Sequence, residues 1–342
     1  MMCTCITFRA NEFYFGRNLD LDVSFGEKVA VTPRNYPFHF RYLPDLSEHY
    51  AMIGMANVTK NYPLYAEAAN EKGVCIAGLN FPGNACYQDF KRGKINIASY
   101  ELIPWLLGKS KSADEAAQML REVNITGDAF TEQMSPAPLH WMLADQASCY
   151  VVEAVEEGVK IYPNPIGVLT NNPPFPFHLD YIRNFLHLSP ETPENHFAKR
   201  LESAGFQGKW RLTPYGEGMG AIGLPGDVSP ASRFVRASFL KWNSVCGEDA
   251  EAEISQFFHI LDGVSMVRGS VQTEEGKYET TIYTCCIRPR EGIYYYKTYD
   301  DSQICGVDLF QEDINGRTLS VYEVKRRQRV IWQNGGNKRN EG

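Results

Sequence analysis

Strand-like and helix-like segments come in separate blocks along this chain, which argues against a parallel sheet wound by regular βαβ units. Two short apolar strands open it, Cys3 to Phe8 and Glu12 to Asn18, with Ala10-Asn11 supplying the turn between them. After a stretch punctuated by Pro33, Pro37 and Pro44 come two buried-strand patterns, Ala51 to Met55 and Val74 to Leu79. The second stops at Asn80, ahead of Pro82 and Gly83. A helical block follows: Ala98 to Leu107 is apolar on most sides, and Ser112 with Glu115 makes a capping box before Ala116, Ala117, Met119 and Leu120. Strand patterns return at Leu139 to Leu143, Cys149 to Ala154 and Gly167 to Thr170, the last ending at Asn171-Asn172 and the break Pro173-Pro174. Helical periodicity resumes over Phe177 to Leu186, Pro230 to Trp242 and Glu251 to Leu261. The chain closes in strand patterns over Tyr278 to Ile287, Ile293 to Thr298 and Leu319 to Val324. These blocks predict an α+β layered protein with mainly antiparallel sheets. With no repeat and no convincing linker, we expect one domain over residues 1–330 and a flexible tail over 331–342.

Composition narrows the function classes. No stretch of 18 apolar residues is present to span a bilayer, so no membrane partner is expected. Arg9 and Glu12 interrupt the first apolar run, which therefore lacks the form of a secretory signal, and a cytoplasmic protein is expected. Nine cysteines at irregular positions do not read as a disulfide framework in so long a chain. A net charge of −7 argues against nucleic acid as partner. The one basic cluster, Lys325, Arg326, Arg327 and Arg329, lies near the C-terminal end, where a solvated tail is the ordinary explanation.

Cys3 is the residue with the most chemical promise. If Met1 and Met2 are removed, it carries a thiol and an α-amine of pKa roughly 7.7 to 8, so nucleophile and base share one residue. Acyl transfer from an amide also needs oxyanion donors and charges that orient the base, and Arg17, Asp20, Asn80, Asn171 and Arg233 supply those residue types at strand ends or turns and, for Arg233, on a helix among apolar neighbours. Each has an ordinary explanation alone: Arg17 and Asp20 as a structural ion pair, the asparagines as turn residues. Cys3-Thr4-Cys5 lacks the companions of a metal site, so no metal or cofactor is expected, and Cys5 reads as core. Cys285 and Cys286, adjacent in a strand, face opposite ways. The histidines, His140 in an apolar strand among them, read as structural, and the glycine-rich run Gly216 to Gly226 reads as a loop rather than a phosphate cradle.

Taken in order, Met2-Cys3-Thr4, Phe15-Gly16-Arg17-Asn18-Leu19-Asp20, Pro33-Arg34-Asn35, Ala77-Gly78-Leu79-Asn80-Phe81-Pro82, Leu139-His140-Trp141, Gly167-Val168-Leu169-Thr170-Asn171, Gly223-Leu224-Pro225-Gly226-Asp227 and Arg233-Phe234 resemble the choloylglycine hydrolase family. That family holds conjugated bile acid hydrolases and penicillin V acylases, and further stretches such as Gly292 to Tyr296 look like the bile-acid branch from Gram-positive gut bacteria. The resemblance implies an N-terminal nucleophile hydrolase with a four-layer αββα sandwich. By carry-over, Cys3 is the nucleophile, Arg17 and Arg233 tune and position its thiolate, and Asp20 holds the freed α-amine. The Asn171 side-chain amide and the Asn80 backbone N–H form the oxyanion hole. Asparagine at position 80 matches the bile-acid branch, where penicillin V acylases typically carry tyrosine.

The implied reaction is hydrolysis of glycine- or taurine-conjugated bile acids through a Cys3 thioester. The alternatives are an acylase for penicillin V or acyl-homoserine lactones with the same chemistry, or an unprocessed chain that binds bile acids without turnover. The steroid pocket is expected among the loops after Asp20, around Tyr62 to Tyr65 and around Phe130 to Met134. A homotetramer is the family expectation, using the loop from Trp210 to Asp227. Family members usually begin Met-Cys, whereas here Met1 precedes Met2.

Overall fold

The protein is described from a computed structural model covering residues 2–197 and 212–334. Its strands are β1 (Met2–Arg9), β2 (Phe13–Leu21), β3 (Glu27–Thr32), β4 (Met52–Thr59), β5 (Tyr62–Asn70), β6 (Cys75–Asn80), β7 (Ile95–Ala98), β8 (Val123–Thr126), β9 (Leu139–Ala144), β10 (Cys149–Val155), β11 (Gly158–Pro163), β12 (Val168–Leu169), β13 (Thr280–Arg288), β14 (Ile293–Thr298), β15 (Asp301–Asp308) and β16 (Ser320–Glu323). The helices are α1 (Leu102–Lys109), α2 (Ala113–Leu120), α3 (Phe175–Tyr181), α4 (Pro230–Asn243) and α5 (Ala250–Asp262).

Two antiparallel sheets stack face to face. One has six strands in the order β12-β1-β2-β13-β14-β15, the other eight in the order β11-β10-β9-β6-β5-β4-β3-β16. Only the small pair β7-β8 is parallel among the described strands. One apolar core joins Cys5, Phe15 and Leu19 of the first sheet to Ile53, Met55, Leu79 and Met142 of the second, and reaches α4 and α5 through Phe234, Phe257 and Leu261. A second core packs Ile76, Leu143 and Val152 of the eight-stranded sheet on Leu102, Leu106, Ala116 and Leu120 of α1 and α2. The layers therefore run α4/α5, sheet, sheet, α1/α2, the αββα sandwich that the resemblance implied. Each fully buried Leu, Ile, Val or Phe in these cores contributes about 1.5–3 kcal/mol.

The hairpin β1-β2 is the part that matters for chemistry. Its register sets Cys3 opposite Leu19, Cys5 opposite Arg17 and Met2 opposite Asp20. All nine residues of β2 are buried, because a sheet sits on one face and helices on the other. Side chains alternate between those faces. Arg17 reaches toward Gly78 and Glu67 of the eight-stranded sheet, whereas Asn18 donates to Leu261 O of α5 at 2.8 Å. Cys3 thus shares the inter-sheet face with Arg17, and Asp20 lies on the helix-facing side.

Close strand approach at Gly16 makes a stability test. A Cβ built there meets the Cys285 carbonyl oxygen at 2.1 Å and its carbon at 2.8 Å, both backbone atoms that cannot swing away. Gly16→Ala is expected to cost about 1–3 kcal/mol or more, as overpacking does. A urea midpoint equal to the parent's would contradict this.

Several boundaries differ from the sequence reading. Ala98 ends β7, and α1 begins only at Leu102 after a 3-10 turn, because the Glu101 carboxylate ties down the N–H of Ala98 at 3.1 Å and of Arg41 at 2.8 Å. The helix expected over Phe177 to Leu186 is α3 followed by a 3-10 turn, Ile182–Phe185. Tyr62 to Tyr65 is no pocket loop but the start of β5. Tyr62 and Tyr65 are buried there, and Tyr62 packs against Tyr100 and Phe130. Pro63 and the weak alternation of this segment hid the strand. Arg326 of the basic cluster pairs with the buried carboxylate of Glu27, a structural use of one of those charges. Trp210 and residues 335–342 of the expected tail lie outside the described residues.

Candidate active site

Cys3 is 2% exposed and is gripped at three points. Arg17 Nη2 donates to its Sγ at 2.5 Å, its own N–H donates to Asn171 Oδ1 at 2.8 Å, and its carbonyl accepts from Arg233 Nη1 at 2.5 Å. Arg233 continues to Thr4 Oγ1 at 2.6 Å and, through Nη2, to Asn171 Oδ1 at 2.7 Å. It enters the site because α4 starts at Pro230, a residue suited to a helix's first turn, and its Nε is fixed on Val228 O at 2.9 Å. Asn171 Nδ2 in turn donates to the Asn80 carbonyl at 2.7 Å, joining the ends of β12 and β6. Five of the residues singled out in the sequence are thus linked by hydrogen bonds.

The sixth, Asp20, sits beside them across the Met2 pairing. Thr281 Oγ1 donates to its Oδ1 at 2.6 Å, while its buried Oδ2 has no hydrogen-bond partner among the described residues. Burial pushes the Asp20 carboxyl up to about 6, against the lowering pull of Arg233, the Thr281 hydrogen bond and Arg17. The acid within 4 Å of Arg17 among the described residues is not Asp20 but Glu67, at 3.7 Å. Burial opposes the Arg17 charge, yet the Cys3 sulphur, Tyr283 and Glu67 together hold its pKa above the usual arginine range. For Arg233 burial wins and its pKa is lowered, with Asp20 and Cys3 pulling the other way. The neighbouring Cys5 thiol is fully buried and pushed up by that burial, so it is a poor nucleophile.

Sequence reasoning missed the supports of this site. Glu67, Tyr283, Tyr294 and Thr281 are buried polar groups behind Arg17 and Asp20. Glu67 had one signal, a lone acid inside the apolar run Ala66 to Ala69. Thr281 had none. His140 and His178 are structural as expected, but they hold the segment that carries Asn171. His140 Nε2 lies 3.0 Å from Thr170 O and His178 Nε2 lies 3.0 Å from Asn171 O. A carbonyl acceptor requires the proton on Nε2 in both rings. His140 also stacks on Phe81 at 4.3 Å, and burial lowers the His178 pKa. Among the described residues no group of three His, Cys, Asp or Glu is placed to hold a metal, and no helix is long and apolar enough to cross a membrane.

An αββα sandwich with a cysteine at the head of a central hairpin is the architecture of the N-terminal nucleophile hydrolases. Residues 3–322 match the family model described as linear amide C–N hydrolases, choloylglycine hydrolase family. The chain is 46% identical over 324 residues to the bile salt hydrolase/transferase of Lactiplantibacillus plantarum, covering 95% of this chain and 97% of that one. It is 37% identical over 325 residues to the conjugated bile acid hydrolase of Lactobacillus acidophilus, covering 94% and 100%. A solved conjugated bile acid hydrolase from Clostridium perfringens superposes with a TM-score of 0.88 at 34% identity, over 97% of this chain and 100% of that one. The penicillin V acylase of Agrobacterium tumefaciens gives 0.71 at 17% identity, over 94% and 90%, a likeness of fold alone. The chain belongs to the choloylglycine hydrolase family of linear amide C–N hydrolases.

Proposed function

We propose that this enzyme hydrolyses the amide bond of glycine- or taurine-conjugated bile acids through a Cys3 thioester. The observation that carries the reading is the three-point hold on Cys3, which fixes its sulphur, amide and carbonyl before any substrate arrives. The substrate class is supported by the extent of similarity to bile acid hydrolases and by asparagine at position 80. In the reaction the Cys3 thiolate, paired with Arg17, attacks the amide carbon. Negative charge develops on the carbonyl oxygen, where the Asn171 amide and the Asn80 N–H act as donors. The C–N bond breaks as the Cys3 α-ammonium gives its proton to the departing nitrogen, releasing glycine or taurine. Water then attacks the thioester, the α-amine takes its proton, and the C–S bond breaks to release the free bile acid.

This mechanism needs the α-amine, so Met1 and Met2 must leave, and Asp20 Oδ2, without a hydrogen-bond partner among the described residues, is the group ready to receive the ammonium. The nine thiols, all free, support a reducing, cytoplasmic setting. A homotetramer is part of the same proposal, supported by the family resemblance alone. The deciding comparison is kcat/KM for amine release from glycocholate and taurocholate against penicillin V, on protein whose intact mass shows Cys3 at the N-terminus. A clear preference for penicillin V overturns the proposal.

Asp20 also makes a pH prediction for chains that keep Met2. Its folded pKa of about 6 exceeds the ordinary carboxylate value, so the folded state binds the extra proton. That contribution is full below about pH 4 and is lost as pH rises through about 6, by no more than about 3 kcal/mol. Asp20→Asn, which mimics the protonated acid, is therefore expected to gain stability over its parent between pH 4 and pH 7. Urea midpoints differing equally at both pH values would show that Asp20 does not titrate in this window.

A further inference from the structure

Glu67 crosses the space between the sheets directly behind Arg17. It belongs to β5 of the eight-stranded sheet, yet both its oxygens are taken by phenols of the six-stranded sheet, Tyr283 of β13 at 2.7 Å and Tyr294 of β14 at 2.6 Å. It is fully buried, and its Oε2 lies 3.7 Å from Arg17 Nη1. The same Nη1 donates to the Gly78 carbonyl, while Nη2 is on the Cys3 sulphur. One guanidinium therefore has a carboxylate on one arm and the sulphur on the other. A buried cation left without an anion is strongly destabilising, and Glu67 supplies that anion whenever Cys3 is a neutral thiol.

We propose that Glu67 is a positioning residue for the reaction, holding the Arg17 fork at the Cys3 sulphur and limiting how far Arg17 stabilises the thiolate. The inference rests on the proposed role of Cys3 as nucleophile. Two buried arginines, Arg17 from β2 and Arg233 from α4, face Cys3. Unopposed, they would stabilise the thiolate so far that its attack slows, because intrinsic nucleophilicity falls with thiol pKa. The counterweights are Asp20 of β2 on the helix side, with Glu279 acting on it and on Arg233, and Glu67 on the inter-sheet side. The other titratable groups around Glu67 are Cys5 of β1 and Cys285 of β13, both thiols that burial keeps protonated. Burial raises the Glu67 pKa, while Arg17 and the hydroxyls of Tyr294 and Tyr283 favour its charged form.

The test is the pH dependence of Cys3 alkylation by iodoacetamide, followed by peptide mass, in mature protein carrying Glu67→Gln. Glutamine keeps the shape and can bond both phenols, one as donor and one as acceptor, but removes the charge. The acid limb of alkylation is expected to move down by about one pH unit, through the loss of one nearby negative charge. Its plateau rate is expected to fall about threefold, as the Brønsted dependence for thiolates requires. The acid limb of kcat/KM for taurocholate moves the same way, kcat falls and KM changes little, and Glu67→Asp restores the limb. A merely structural residue would lower the plateau and leave the limb in place. Should Glu67→Gln not fold, Tyr294→Phe carries the test, since losing one donor makes Glu67 harder to ionise and moves the limb in the same direction. An alkylation limb superimposable on the parent's overturns the proposal while leaving Cys3 as nucleophile untouched. Turnover surviving Cys3→Ala instead overturns the underlying mechanism.

Discussion

Cys3→Ala is expected to abolish taurine release from taurocholate, lowering kcat by roughly 10⁴-fold or more, as removal of a covalent nucleophile does in other hydrolases. Cys5→Ala, two residues away on the same face, is expected to stay within about threefold of the parent, since a buried protonated thiol takes no part in the chemistry. The pair of variants separates a catalytic cysteine from a merely packed one. Alanine at position 3 removes only the sulphur, because the backbone N–H and C=O still meet Asn171 and Arg233. Folding should therefore survive, and substrate binding can be measured in the inactive protein. Substantial turnover by Cys3→Ala, or its loss in Cys5→Ala with the fold intact, would remove the basis of the proposed mechanism.

The next largest effect is expected at Asn171. Asn171→Ala should lower kcat by roughly 10²–10³-fold, the usual cost of one oxyanion donor. It also leaves Arg233 Nη2 and the Cys3 N–H without the oxygen they share. Asn171→Asp separates these two losses. An aspartate keeps that oxygen but puts a second anionic oxygen where Nδ2 now meets the Asn80 carbonyl, so it repels a developing oxyanion. The aspartate variant should therefore be at least as slow as the alanine variant, with KM for taurocholate moving less than kcat. An Asn171→Asp enzyme close to the parent in kcat would show that the side-chain amide is not an oxyanion donor.

The residues gathered around Cys3 were largely legible in the sequence, because each broke a local rule. Arg17 and Asp20 interrupt a strand otherwise fit for a core, Asn80 and Asn171 end apolar strands, and Arg233 lies on an apolar helix face. The groups that support them were not, because their meaning is non-local. Thr281 is an ordinary strand residue until register brings it beside Asp20, and Glu67 gains its role only when two sheets stack. The same applies to the fold. The opening hairpin follows from short apolar runs and a turn, whereas β5 and β15 lack clean alternation and are made strands by their partners. Histidine was read correctly as structural at positions 140 and 178, but which backbone segment it secures is a matter of tertiary contact.

The alternation of side chains along β1 and β2 has a consequence for how such an enzyme can change over time. In the proposed mechanism Arg17 and Glu67 meet the sulphur from the inter-sheet side, Asp20 and Thr281 lie on the helix side where the α-amine is held, and Arg233 reaches both. The two sets stay electrically coupled through the sheet, since Arg17 pulls on the Asp20 carboxyl and Cys3 on Arg233, so drift in one has to be matched in the other. A lineage that retunes how strongly its thiolate attacks therefore has to readjust the carboxylate on the far side of the strand as well.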